Sequence, residues 1–251
     1  MTLKPGMRIA LVGGCGGIGR AVAAAVGDSA ARIAVLDLPQ SLLAHPPQAE
    51  VSLAFDATDE AQVEDAFARV AATFGALDAL VNLAGFSLGV KPVAETTNAA
   101  WGAVLNGNLN SMFLCCRAAL PLLHRGRDAA IVNLASGLGV KPVPGHGPYS
   151  VAKAGIIQLT RLLAQENAPQ VRVNAVAPGA VDTAFLRGGT GRGGDEPSLV
   201  QRDSSSYLRG VPLGRMAQAD DVVGPILFLL SDAARFVTGQ TLHVNGGGLM
   251  P

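Results

Sequence analysis

The chain has 251 residues, 49% hydrophobic and 15% charged, with 19 Lys plus Arg against 19 Asp plus Glu. That length suits one α/β domain with a large core, and the balanced charge, without a basic stripe, argues against nucleic acid or an anionic membrane as partner. No apolar run approaches the roughly 20 residues that span a bilayer, no signal-peptide core precedes the first motif, and three cysteines (Cys15, Cys115, Cys116) make no disulfide framework.

Apolar runs alternate with helical patterns from the start. Met7–Val12 reads as a strand and Gly17–Val26 as a helix. Arg32–Leu36 and Val51–Phe55 are the next strands. Asp59–Phe74 places Val63, Phe67, Val70 and Phe74 on one helical face, with Gly75 as the stop. Ala79–Leu83 is a strand, and one long helix follows from about Ala99 to Leu123. Ala130–Ala135 is a strand, Tyr149–Asn167 a helix and Val171–Ala177 a strand. Asp220–Leu230 is the late helix and Thr241–Val244 the last strand. With right-handed crossovers this is a single-domain, doubly wound parallel sheet of about seven strands, helices on both faces. Leu186–Gly210 breaks the rhythm with Gly188, Gly189, Gly191, Gly193 and Gly194 and a serine run, and is expected to be a mobile lid.

The first strand runs into Gly13-Gly14-Cys15-Gly16-Gly17-Ile18-Gly19 and then a helix. Glycines there let the backbone approach a pyrophosphate, and the helix N-terminus offers N–H groups and a positive dipole end. This places Gly13, Cys15, Gly17, Ile18 and Gly19 on a Rossmann-type dinucleotide. Asp37 ends the second strand, followed by Leu38 and Pro39 rather than Arg or Lys. A carboxylate there accepts from both ribose hydroxyls and repels a 2′-phosphate, so NAD is preferred over NADP.

Tyr149-Ser150-Val151-Ala152-Lys153 sets a phenol and an ammonium one helical turn apart. A nearby cation favours phenolate and lowers a tyrosine pKa from about 10. Ser136 ends the preceding strand. Together with the glycine loop, Asp56-Ala57, Asn82-Leu83-Ala84-Gly85, Asn108-Leu109, Pro178-Gly179-Ala180-Val181-Asp182-Thr183 and Asn245-Gly246-Gly247, the set resembles the short-chain dehydrogenase/reductase family over essentially the whole chain. The resemblance implies catalytic roles for Asn108, Ser136, Tyr149 and Lys153. It adds Asp56 and Ala57, Asn82, Ala84 and Gly85, and Pro178, Gly179, Val181 and Thr183 to the cofactor contacts. The chain departs from the family at Val12, usually Thr, at Leu83, usually Asn, at Ala135 and at Asn245; none of these removes a reacting group.

The implied reaction interconverts a secondary alcohol and a ketone with NAD(H). The candidate substrate pocket holds Phe86, Ser87, Gly137, Leu138, Val143, His146, Ala180 and Phe185, with His146 expected to face solvent. A sugar, polyol or other hydroxy compound is the expected substrate. Two alternatives stand: a 3-oxoacyl-carrier-protein-type reductase, which calls for NADPH, and a cofactor-binding regulator without turnover. No metal site is assigned, and a cytoplasmic location is expected. The resemblance also implies a homotetramer built on the two long helices, through Met112, Leu114, Ala118, Ala119, Ile156, Leu159, Leu162 and Leu163.

Overall fold

The computed structural model describes residues 3–187 and 204–250. Seven parallel strands form one sheet: β1 (Arg8–Val12), β2 (Arg32–Asp37), β3 (Val51–Ala54), β4 (Ala79–Asn82), β5 (Ala129–Leu134), β6 (Val171–Pro178) and β7 (Thr241–Val244). Their order is β3-β2-β1-β4-β5-β6-β7. Strand order reverses between β1 and β4, and the loops after these strands' carboxyl ends open a crevice there. Central strands such as β4 are buried throughout, which explains their unbroken apolar runs.

Helices cover both faces. On one lie α1 (Gly17–Gly27) and the late helix Ala219–Leu230; on the other lie α3 (Glu60–Phe74), α5 (Ser111–Leu123) and α6 (Gly147–Asn167). Each helix buries one stripe. In α3 the buried residues are Val63, Ala66, Phe67, Val70 and Phe74, its N-cap Asp59 accepts from the Gln62 N–H at 3.2 Å, and Gly75 stops it at φ +72°. A cap of this kind contributes about 1 kcal/mol. At the amino-terminal edge of the sheet, Asp78 accepts from the Arg8 side chain at 2.7 and 2.9 Å and from the Arg127 N–H at 2.7 Å, tying β1 to the start of β4.

The element boundaries differ from the sequence reading in three places. The helix expected from Ala99 to Leu123 is α4 (Asn98–Leu105), a π-helical turn at Asn106–Asn110, and then α5. A short helix, α2 (Pro39–Ala44), follows β2; its six residues bury nothing, so no apolar period announces it. Within the expected lid, residues 188–203 lie outside those described. Its end is not a loop but the helix α7 (Ser204–Arg209), and the late helix is therefore α8 (Ala219–Leu230).

Candidate active site

A cleft of about 1080 Å³ opens along the carboxyl edge of the sheet. That is near the upper end of small-molecule sites. Every candidate residue lines it except Asn82 and Asn108.

The glycine loop crosses the floor. A Cβ on Gly13 would lie 2.7 Å from the Ala84 nitrogen, and one on Gly17 would lie 2.6 Å from Thr183 Cγ2. No side chain caps α1, so its first N–H groups face the cleft. Asp37 stands at the end of β2, with Oδ2 accepting from the Cys15 N–H at 2.8 Å and Oδ1 from the Leu38 N–H at 2.8 Å. The carboxylate is thus fixed in orientation, and each oxygen keeps a lone pair for a further donor. Asp56 accepts from the Thr58 N–H and hydroxyl at 2.8 and 2.7 Å and lines the same end. Cys15 is buried, and burial, helped by Asp37, pushes its thiol up to about 11, so it is an inert filler. These features fit a dinucleotide: a glycine-rich cradle, an uncapped helix start and an oriented carboxylate at the end of β2 in the same cleft.

At the other end, Tyr149 and Lys153 project from the first turns of α6 toward Ser136, where β5 ends. Lys153 Nζ donates to the Leu134 carbonyl at 2.8 Å and stands 5.4 Å from the Tyr149 ring centre. Ser136 Oγ accepts from the Leu138 N–H at 3.2 Å. Burial pushes the Tyr149 phenol up, with the Ser136 hydroxyl working against it, and burial pushes the Lys153 ammonium down to about 7. Without cofactor, burial thus favours the neutral form of each group. The Phe185 ring closes over Tyr149 at 5.9 Å between centroids.

Asn108 sits behind the wall rather than on it. The π turn aims its side chain inward, where Nδ2 donates to the Phe86 and Val104 carbonyls at 2.8 and 2.9 Å. Its Oδ1 is buried and unpartnered within the protein, and would touch a Cβ on Gly85, which also borders Lys153 Nζ. A water between Oδ1 and Nζ would satisfy both. Asn82 is a correction. Its Nδ2 donates to Asn133 Oδ1 at 2.9 Å and to Cys116 Sγ at 3.3 Å, so the side chain holds the strands β4 and β5 together and turns away from the cleft.

His146 also departs from expectation: it is half-buried in the cleft wall, with its pKa lowered by desolvation, rather than a solvent-facing loop histidine. The wall also holds Tyr207, from the expected lid, Asn245, from the matched Asn245-Gly246-Gly247, and Leu249, which sequence reasoning missed. The Tyr207 oxygen accepts from the Ala180 N–H at 2.8 Å, which pins α7 to the loop after β6. Nothing in the local pattern of a six-residue helix signals that contact.

Comparisons with known proteins agree with this geometry. The family model described as enoyl-(acyl carrier protein) reductase matches residues 13–248. The chain is 35% identical over 247 residues to 2-(S)-hydroxypropyl-CoM dehydrogenase 3 of Xanthobacter autotrophicus, covering 95% of each. It is 34% identical over 249 residues to a 3-oxoacyl-[acyl-carrier-protein] reductase of Staphylococcus aureus, covering 96% of this chain and 97% of the relative. Among solved structures, the glucose/ribitol-dehydrogenase-type protein of Brucella melitensis superposes with a TM-score of 0.88 at 32% identity, covering 100% of both chains. With this fold, this cleft and relatives matched over nearly their whole length, the chain belongs to the short-chain dehydrogenase/reductase family, oxidoreductases that use a nicotinamide cofactor.

Proposed function

We propose that the protein is an NAD(H)-dependent dehydrogenase/reductase that interconverts a secondary alcohol and a ketone, with Tyr149 as general acid and base. The observation that carries this reading is the meeting of Tyr149, Ser136 and Lys153 in one cleft whose far end holds Asp37. When bound, the nicotinamide supplies the hydride acceptor for oxidation or the donor for reduction. In the oxidising direction Tyr149 takes the proton of the substrate hydroxyl, and Ser136 hydrogen-bonds the same oxygen and holds it against the phenol. Lys153 compensates the phenolate and donates to the nicotinamide ribose. Asn108 holds a water on Lys153 from behind Gly85. Val181 and Thr183 hold the carboxamide end, and Thr183 also packs over Gly17. Asp37 supports NAD over NADP through its two free lone pairs. The whole chain acts as one catalytic domain, with Leu186, Ser206, Tyr207 and Gly210 along the cleft.

The 3-oxoacyl-carrier-protein reductase reading is supported by the Staphylococcus aureus relative and opposed by Asp37, whose charge repels a 2′-phosphate. A cytoplasmic location fits three buried, unpaired cysteines and the finding that no helix among the described residues is long and apolar enough to cross a membrane. A homotetramer is supported by the exposed Phe113 on α5 and Val151 and Leu162 on α6. Of the residues expected at that interface only Leu162 is exposed; Met112, Ala119, Ile156 and Leu163 pack inward and Leu114, Ala118 and Leu159 are part-buried.

The test is a panel of secondary alcohols with NAD, read as NADH formation, for the parent and Tyr149→Phe. The variant keeps the ring and its packing, so NAD binding persists while turnover falls about a hundredfold or more. Turnover of the variant within a few fold of the parent would remove Tyr149 from the mechanism.

A further inference from the structure

The cleft wall divides by strand order. The ends of β1, β2 and β3 and the segments that follow them contribute Arg20, Asp37, His45 and Asp56, so charge of both signs lines the dinucleotide half. Loops after β4 to β7 enclose Tyr149. The basic side chains of that reacting half, besides Lys153, are Lys141 and His146, and no Asp or Glu lines it among the described residues. Much of the remaining wall is apolar, with Val90, Leu138 and Leu249.

Both basic residues sit on the segment between β5 and α6, and its backbone is held. The Lys141 N–H donates to the Gly137 carbonyl at 3.0 Å. The His146 N–H donates to the Val143 carbonyl at 3.2 Å, and its own carbonyl accepts the Ser150 N–H at 2.8 Å. Gly145 takes φ +89° and accepts the Lys91 N–H at 3.1 Å, and a Cβ there would strike the Val90 side chain. This clamp delivers the imidazole at the N-cap of α6, three residues ahead of Tyr149 and on the same face. Lys141 is exposed while lining the cleft, so its ammonium stands at the rim.

A cation at the rim and an imidazole N–H in the half-buried wall, in a cleft half that is otherwise largely apolar, match a carboxylate on an apolar body. The carboxylate takes a charge-assisted bond from each donor. Among the described residues, a neutral polyol finds no carboxylate on this wall to accept its hydroxyl protons. We propose that Lys141 and His146 form an anion subsite in the reacting half of the cleft, and that the substrate is a hydroxy acid, or the matching oxo acid, with its carboxylate held away from the reacting carbon. This deepens the redox reading above and rests on it for the reaction, though not for binding.

The test separates the two. Hexanoate and hexanamide, which carry no reacting alcohol, are titrated calorimetrically into the protein with and without NADH. Hexanoate should bind about tenfold more tightly than the amide, and Lys141→Met and His146→Leu should each reduce that ratio several-fold. Equal binding, no binding of either, or a ratio that survives both substitutions would overturn the subsite. In kinetics, secondary hydroxyhexanoates are compared with their methyl esters. The acid-to-ester ratio of kcat/KM should be about ten or more and should collapse in Lys141→Met. Carboxylate binding that depends on Lys141 in a protein that oxidises no alcohol sinks the redox reading and keeps the subsite. Esters oxidised as well as acids sink the subsite and keep the redox reading.

Discussion

Gly85 borders both Asn108 and Lys153, and Gly85→Ala tests whether Asn108 serves Lys153. A Cβ there would lie 2.5 Å from Asn108 Oδ1 and 3.6 Å from Lys153 Nζ. Carbon and oxygen settle at about 3.3 Å or more, so the amide would have to retreat by about 0.8 Å. It has nowhere easy to go, because Nδ2 is tied to the Phe86 and Val104 carbonyls and the residue is fully buried. Losing one of those bonds with its partner left buried costs about 1–3 kcal/mol, and overpacking adds a similar amount. A total near 3 kcal/mol, at about 2–4 °C per kcal/mol for a chain of this size, lowers Tm by about 6–12 °C. Displacing Oδ1 also displaces whatever it holds against Lys153, so kcat should drop about tenfold or more at temperatures where the variant is folded. Differential scanning calorimetry and steady-state kinetics read the two effects. A variant that melts within about 2 °C of the parent and turns over within about twofold would refute the tight triangle of Gly85, Asn108 and Lys153.

Two further outcomes follow from the same geometry. NAD should bind at least about tenfold more tightly than NADP, and Asp37→Ala should narrow the gap while also loosening the Cys15 and Leu38 N–H groups that the carboxylate holds; calorimetry showing equal or better NADP binding to the parent contradicts this. Light scattering at micromolar concentration should give four times the chain mass, and Phe113→Glu together with Leu162→Glu, both exposed in the single chain, should reduce it; a monomeric parent contradicts the assembly.

The sheet was legible because burial on both faces writes each strand as a continuous apolar run. The cradle was legible because backbone approach to a phosphate excludes Cβ atoms. Tyr149 and Lys153 were legible as a pair because a helical turn is a local constraint, and the family resemblance joined Ser136 to them. The remainder depends on contacts between segments far apart in the chain. The π turn that points Asn108 inward shifts the helix register by one residue without altering the apolar pattern around it. Asn82 belongs to a recognisable motif, yet its side chain is committed to Asn133, and only the neighbouring strand reveals that. His146 looked like a loop histidine, but the bond from Lys91 to Gly145 brings its segment against the cleft. Tyr207 reaches the wall through a single bond across 27 residues of chain.

The reacting lysine should weaken the fold that holds it. Lys153 is 2% exposed, donates to one carbonyl and has its pKa pushed by burial from 10.5 down to about 7. In the unfolded chain the same group titrates near 10.4. Between these values the unfolded state binds a proton that the folded state releases, so stability rises with pH across this window. Below pH 7 both states are protonated, and the full cost of burying the ammonium is present. At about 1.4 kcal/mol per pKa unit its ceiling is about 5 kcal/mol. Lys153→Met removes that cost and gives up about 1 kcal/mol for the bond to Leu134. Tyr149, whose folded pKa is raised, has the opposite sense: its contribution disappears only as pH climbs past about 10, outside the window. The variant, inactive or nearly so, should therefore melt above the parent at pH 6, by up to about 8–16 °C, and the difference should shrink steadily as pH rises to 9. Thermal melts of both proteins without cofactor across that range decide it. Parallel profiles, or a variant less stable than the parent at pH 6, would mean that Lys153 keeps its charge in the folded site at no cost, and the account of the empty site as a pair of neutral groups would be wrong.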